Sequence, residues 1–380
     1  MKTVKRRLPT LRRAAAAAVA LAVAVLAAGC SEGAGDRSPA GGEAAASPAA
    51  LPAAVNVYAG TGPGDLSPAV AGVPSRVYVP NSEDNTVDVI DPATYRVVSH
   101  FPVGKLPQHV TPSWDLKTLY VDNDVGNSLT PIDPRTGEPG PTIPVIDPYN
   151  LYFTLDGTWA VVVAEARRRL DFRDPHTWAV VKSVPVPCKG VDHGDFTVDG
   201  SEMVLSCEFS GQLLRLDVKR MEITGTLKVG GSPVDVRISP DGTVFYVANQ
   251  KRHGVSVIDA HKFKEIAFIP TGKGAHGLYP SRDATSLYVS NRLGGTVSVI
   301  SFATRSVTAT WTTGGSPDMG GVTTDGSQLW LSGRYDGVVY VIDTRTGTVL
   351  HRIPVGRGAH GLCVFPQPGR LSLGHTGNFR

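Results

Sequence analysis

The chain has little charge and few cysteines. Charged residues make up 19% of its 380 residues and the formal net charge is +3, too small for this size to imply a nucleic-acid partner. None of the 4 cysteines sits in a Cys-x-x-Cys-His, so covalent haem attachment is excluded. A nucleophile elbow, a phosphate-binding glycine loop and a zinc-protease helix are all missing, which leaves the ordinary hydrolase classes without support. The single apolar run, Ala14 to Ala28, is too short to span a bilayer comfortably.

That run reads as the core of an export signal covering residues 1–30. Lys2, Lys5, Arg6, Arg7, Arg12 and Arg13 precede it, and Leu26-Ala27-Ala28-Gly29-Cys30 closes it. The ending resembles a bacterial lipobox, with Leu26 one position further from the cysteine than usual. The resemblance implies a lipid on Cys30 and a mature chain anchored at the outer face of the cell membrane; an ordinary secretory signal is the alternative. Residues 31–54 are Ala, Gly, Ser and Pro, the composition of a flexible tether. A lead-in over 55–74 follows.

Glycine (42) and proline (29) are plentiful, and Val and Thr recur in short runs between turn residues, as in a protein of many short strands. Four tetrapeptides share a frame: Tyr78-Val79-Pro80-Asn81, Tyr120-Val121-Asp122-Asn123, Tyr246-Val247-Ala248-Asn249 and Tyr288-Val289-Ser290-Asn291. Weaker copies begin at Val162, Leu205 and Trp330, so successive starts are 41 to 43 residues apart. Each unit reads as four strands, A to D, and a four-stranded sheet with two apolar faces must be covered by neighbours. Units of about forty residues that cover one another are propeller blades. The predicted fold is therefore all-β: a seven-bladed β-propeller of four-stranded antiparallel blades over residues 75–366. The segment from His360 to Phe365 supplies the A strand missing before Arg76, closing the ring by pairing the two chain ends. Residues 367–380 are surplus to this scheme.

These motifs, with Ser239-Pro240-Asp241-Gly242 and Val297-Ser298-Val299-Ile300, resemble the YVTN-repeat, YncE-like family of β-propellers across roughly Ser75 to Pro366. The wider fold family resembles the haem d1 propeller of nitrite reductases, the copper propeller of nitrous oxide reductase, and propeller lactonases and lyases. The resemblance implies the fold and leaves the activity open.

In a propeller the D-to-A loops converge on the central channel, so equivalent positions surround one axis. Aligned, they give two adjacent slots: Gln108, Tyr149, Asp192, Val234, His276, Asp318 and His360, then His109, Asn150, His193, Asp235, Gly277, Met319 and Gly361. Four of the 10 histidines fall in these fourteen positions. His109, His193, His276 and His360 are candidate ligands for a transition metal, since imidazole and carboxylate suit Zn, Cu, Fe or Ni. Asn150, Asp192, Asp235 and Asp318 join them as candidate ligand-binding groups. The bland reading is that these groups satisfy backbone amides or channel water. The B-to-C loops add a basic arc with Arg167, Arg252, Arg292 and Arg334, opposed by Glu83, Asp84, Asp122 and Asp124, which suits a small anionic ligand.

Cys188 and Cys207 fall near one end of one hairpin, with Cys207 expected opposite Asp192; that placement is compatible with a disulfide in an oxidising exterior. Cys363 reads as a small buried apolar residue. Two functions remain open. One is a monomeric, membrane-tethered binding protein that presents its His/Asp-lined funnel to a small ligand or an envelope protein. The other is a redox enzyme or lyase with a metal or haem-type cofactor in the same funnel.

Overall fold

The computed structural model describes residues 55–380; the signal segment, Cys30 and the 31–54 tether lie outside the described residues. Seven four-stranded antiparallel sheets form the body. Blades 1 to 6 span residues 107–144, 150–185, 191–228, 233–270, 275–312 and 317–354. Blade 7 joins Cys363–Phe365 to three strands from residues 76–102. The ring closes as the repeat predicts, with Arg76 opposite Phe365, Val77 opposite Val364 and Tyr78 opposite Cys363. The ladder of the closing A strand is shorter than expected, starting at Cys363 with only a single bridge at Ala359 before it.

Alternation along strand B explains how blades hold together. In Val244–Asn249, Val244, Tyr246 and Ala248 pack toward blade 5, while Phe245 and Val247 pack toward blade 3. Successive side chains of a strand point to opposite faces, so each sheet serves two interfaces. The buried apolar residues accordingly form seven clusters, one between each pair of neighbouring blades. Each fully buried Val or Leu there contributes about 1.5–3 kcal/mol. The closing asparagine of the tetrapeptide pins the B-to-C turn: Asn291 donates to Thr296 and Ser298, and Asn123 to Ser128 and Thr130.

Strand A lines the axis, and in five blades it carries a bulge. Residues 108–109, 192–193, 234–235, 276–277 and 318–319 each set two residues against one on strand B. A bulge re-aims side chains and frees an amide. Here the strand B residue opposite the bulge takes up that amide: Ser206 accepts from His193 N–H, Ser290 from Gly277 N–H and Ser332 from Met319 N–H. The bulge also corrects the expected register, placing Cys207 opposite Val191 rather than Asp192. Cys188 and Cys207 are joined by a disulfide with Cα atoms 6.1 Å apart, and Cys363 is free and buried.

Blade 2 lacks the bulge because its strand A has another partner. Residues 367–380 fold back as a narrow hairpin, with Ser372 bridging Phe379 and Leu373 N–H donating to the Asn378 carbonyl. The hairpin lies along Asn150–Phe153: Phe153 N–H donates to the Leu373 carbonyl and His375 N–H to the Leu151 carbonyl. Its turn uses left-handed backbone at Gly374, where a Cβ would run into the Leu151 carbonyl. The base of the hairpin rests on the A-to-B-turn face, where Arg380 donates to the Thr197 and Phe196 carbonyls and to Asp195. Tyr58 from the lead-in bonds the Ile238 carbonyl on the same face.

Candidate functional site

The aligned slots meet at the axis together with one residue the alignment did not contain. His109, His193 and His375 are fully buried and offer ligand atoms within 4.8 Å of one another. Their rings pack at centroid distances of 5.2 Å (His109–His193), 5.1 Å (His109–His375) and 4.7 Å (His193–His375). His109 and His193 project from the bulges of blades 1 and 3, and His375 stands at the tip of the 367–380 hairpin. Nothing in the repeat signals His375, because the hairpin is not a blade and has no register to align.

His276 and His360 form a second group, bound to a carboxylate. Asp318 lies 2.7 Å from His360 Nδ1 and 3.1 Å from His276 Nδ1, and accepts a hydrogen bond from Arg292 Nη1 at 3.2 Å. The two groups touch where the His109 and His360 rings come within 5.0 Å. Asn150 accepts from Leu151 N–H and donates to the Tyr152 hydroxyl. Asp235 accepts from Val236 N–H and Leu278 N–H, with His375 Nε2 at 3.7 Å.

Above the bulges, the residue following strand B forms a third ring: Ser82, Asp124, Glu165, Glu208, Gln250, Arg292 and Arg334. Blades 1 to 3 thus present three acids in succession and blades 5 and 6 two arginines. The predicted arcs are redrawn accordingly. Arg252, two residues further along its loop, pairs with Glu265 at 2.7 Å and lies over the Phe268 ring. Arg167 is exposed, and Asp122 is buried on strand B, accepting from Thr111. Arg334 donates to the Gly358 carbonyl.

Electrostatics follow the same division. Burial, reinforced by neighbouring carboxylates, pushes Glu165 up to about 8 and Asp124 to about 7. Burial and the charge of Asp192 take Glu208 to about 7. Burial drives His109, His276, His360 and His375 well below the ordinary imidazole range. His193 departs from them: burial opposes its charge, yet Asp192, 2.6 Å from Nδ1, holds its pKa above the usual value. Clefts of 610, 630, 660 and 420 Å³ lie among the A-to-B turns and outer strands, and none is lined by an axial histidine.

Seven blades around a buried polar axis, stoppered on one face by a hairpin of the same chain, define a closed-floor β-propeller. The chain belongs to the YNCE-like beta-propeller family, whose description matches residues 42–370. No curated protein matches it. Among solved structures it is similar to hydrazine synthase of Kuenenia stuttgartiensis, at 20% identity and a TM-score of 0.58 over 66% of this chain and 87% of that one. It is also similar to the dihydro-heme d1 dehydrogenase NirN in complex with DHE, at 17% identity and 0.59 over 76% and 74%. A functionally unknown protein from Desulfotomaculum acetoxidans DSM 771 matches at 15% identity and 0.66 over 76% and 98%. At these identities the likeness concerns the fold alone.

Proposed function

We propose that this chain is an exported propeller, tethered to the outer face of the cell membrane through a lipid on Cys30, that binds a small guest at its axis. One observation carries the reading. His375 Nε2, Gln108 Oε1 and Arg292 Nε are buried without a hydrogen-bond partner. All belong to the axis or its mouth. Each unsatisfied buried group costs about 1–3 kcal/mol, and three gathered at the axis and its mouth mark a site that a guest completes. The mixed signs of the mouth favour a small cation or a compact polar molecule over a purely anionic ligand. The spacing of the rings leaves no slot among them for a haem-type macrocycle.

Thermal unfolding with a panel of small cations and anions, alongside native mass spectrometry, tests the reading. A guest that raises the midpoint of the wild-type chain and not of Asp192→Ala supports it; no shift from any of them and no retained mass overturns it. For the anchor, Cys30→Ala is expected to move the protein from the membrane fraction to the soluble one. A Cys30→Ala chain that stays membrane-bound would refute the lipid.

A further inference from the structure

We propose that the guest is a divalent transition-metal ion held by His109, His193 and His375. The inference rests on the axial-guest reading above and gives it a chemical identity. Its first support is a confrontation of lone pairs. His109 Nδ1 bonds the Tyr149 carbonyl at 3.0 Å, and a carbonyl only accepts, so the proton of His109 is on Nδ1. His193 Nδ1 faces the Asp192 carboxylate at 2.6 Å, which places a proton there too. The two Nε2 atoms then point at each other across 3.3 Å. Two imidazole lone pairs at that distance need a positive centre between them, either a proton carried by His193 and donated to His109 or a metal ion in its place. Metal–imidazole bonds of about 2.0–2.1 Å at a tetrahedral angle separate two ligand nitrogens by about 3.3 Å, so the pair already has the bite of a metal site.

The second support is His375, whose Nε2 is fully buried and unpartnered beside this pair. Thr376 N–H donates to its Nδ1, so in the metal-free arrangement the proton sits on Nε2. Ligation requires the ring to turn and carry its proton on Nδ1, which makes His375 the adjusting member beside two preset ligands. The third support is the surroundings. Asp192 stands behind His193 as a carboxylate stands behind a metal-bound histidine. His109 and His193 also belong to blades 1 and 3, beneath the acidic arc of Asp124, Glu165 and Glu208, where a cation is drawn in. His276 and His360 are held by Asp318 on the arginine side. Three imidazoles suit Zn, Cu, Ni or Co and not Mg or Ca.

The test uses the full mature chain purified without a histidine tag and stripped with a chelator. It is titrated with Zn(II) or Cu(II), desalted, and assayed for metal per chain, with Mg(II) and Ca(II) as comparison ions. One equivalent of Zn or Cu is expected to remain, and none of Mg or Ca. His109→Ala and His193→Ala abolish retention, Asp192→Asn weakens affinity by about 10–100-fold, and His375→Ala weakens it while leaving the pair to bind. His261→Ala, at an exposed outer turn, leaves the stoichiometry unchanged. Hydrogen exchange on the wild-type chain gives a readout free of any folding defect: metal should slow exchange of the His375 and Leu373 amides. Retention well short of one equivalent, or retention unchanged in the His109→Ala/His193→Ala chain, overturns the proposal. If native mass spectrometry finds a non-metal guest, the metal is wrong and the axial-guest reading stands.

Discussion

At the scale of single residues, Asp318 and Glu165 differ in the partners that surround them. Asp318 is fully buried and balanced by Arg292, whose side chain is 12% exposed, and by two imidazoles. Removing one partner of such a buried pair leaves a charge without compensation, at a cost of about 3–5 kcal/mol. Asp318→Ala is therefore expected to lose that much in denaturant unfolding, and a loss below about 1 kcal/mol would show the network to be solvated. Glu165 has no such partner. Its folded pKa of about 8 lies above the unfolded value of about 4.3, so the folded state binds the extra proton. Its contribution is fully present below the unfolded value and is lost as pH rises through the folded one. Glu165→Gln should raise the melting temperature clearly near pH 8.5 and little near pH 5. An equal gain at both would assign the effect to packing.

At the scale of elements, the bulges and the hairpin position the site, and they differ in how far the sequence shows them. The repeat reveals strand B, its closing asparagine and the A-to-B turn, because each recurs at one spacing. The two aligned slots coincide with the bulge in five blades, since the residues that must face an axis recur too. The hairpin recurs nowhere, so His375 and the missing bulge of blade 2 were beyond any alignment of blades. The basic arc misled for a finer reason: Arg292 directly follows its strand B and faces Asp318, whereas Arg252 lies two residues later and turns to strand D. Two truncations separate the hairpin from the closing strand. Removing 367–380 leaves all seven ladders and should give a monomer with a lower melting temperature. Removing 358–380 also removes the partner of Arg76–Asn81, exposes a free edge and should give broad melting and self-association in size-exclusion chromatography. Equal behaviour of the two chains would mean that the closing strand adds nothing beyond the hairpin.

At the scale of the whole molecule, the ring was legible because a propeller is one local rule repeated: alternate residues of each sheet serve two neighbours, and the period counts the blades. The axis was only half legible, because it belongs to all blades at once and to a segment that belongs to none. That segment has a further consequence for the order of events during synthesis. A chain emerges from its N-terminus onward, so residues 107–354 are complete before Cys363–Phe365 can close the ring, and the His375 turn comes later still. During that interval His109 and His193 stand in a channel open at the floor. On the axial-guest reading, a guest bound in that interval would be enclosed when the hairpin arrives, and its identity would reflect the compartment in which the last residues folded.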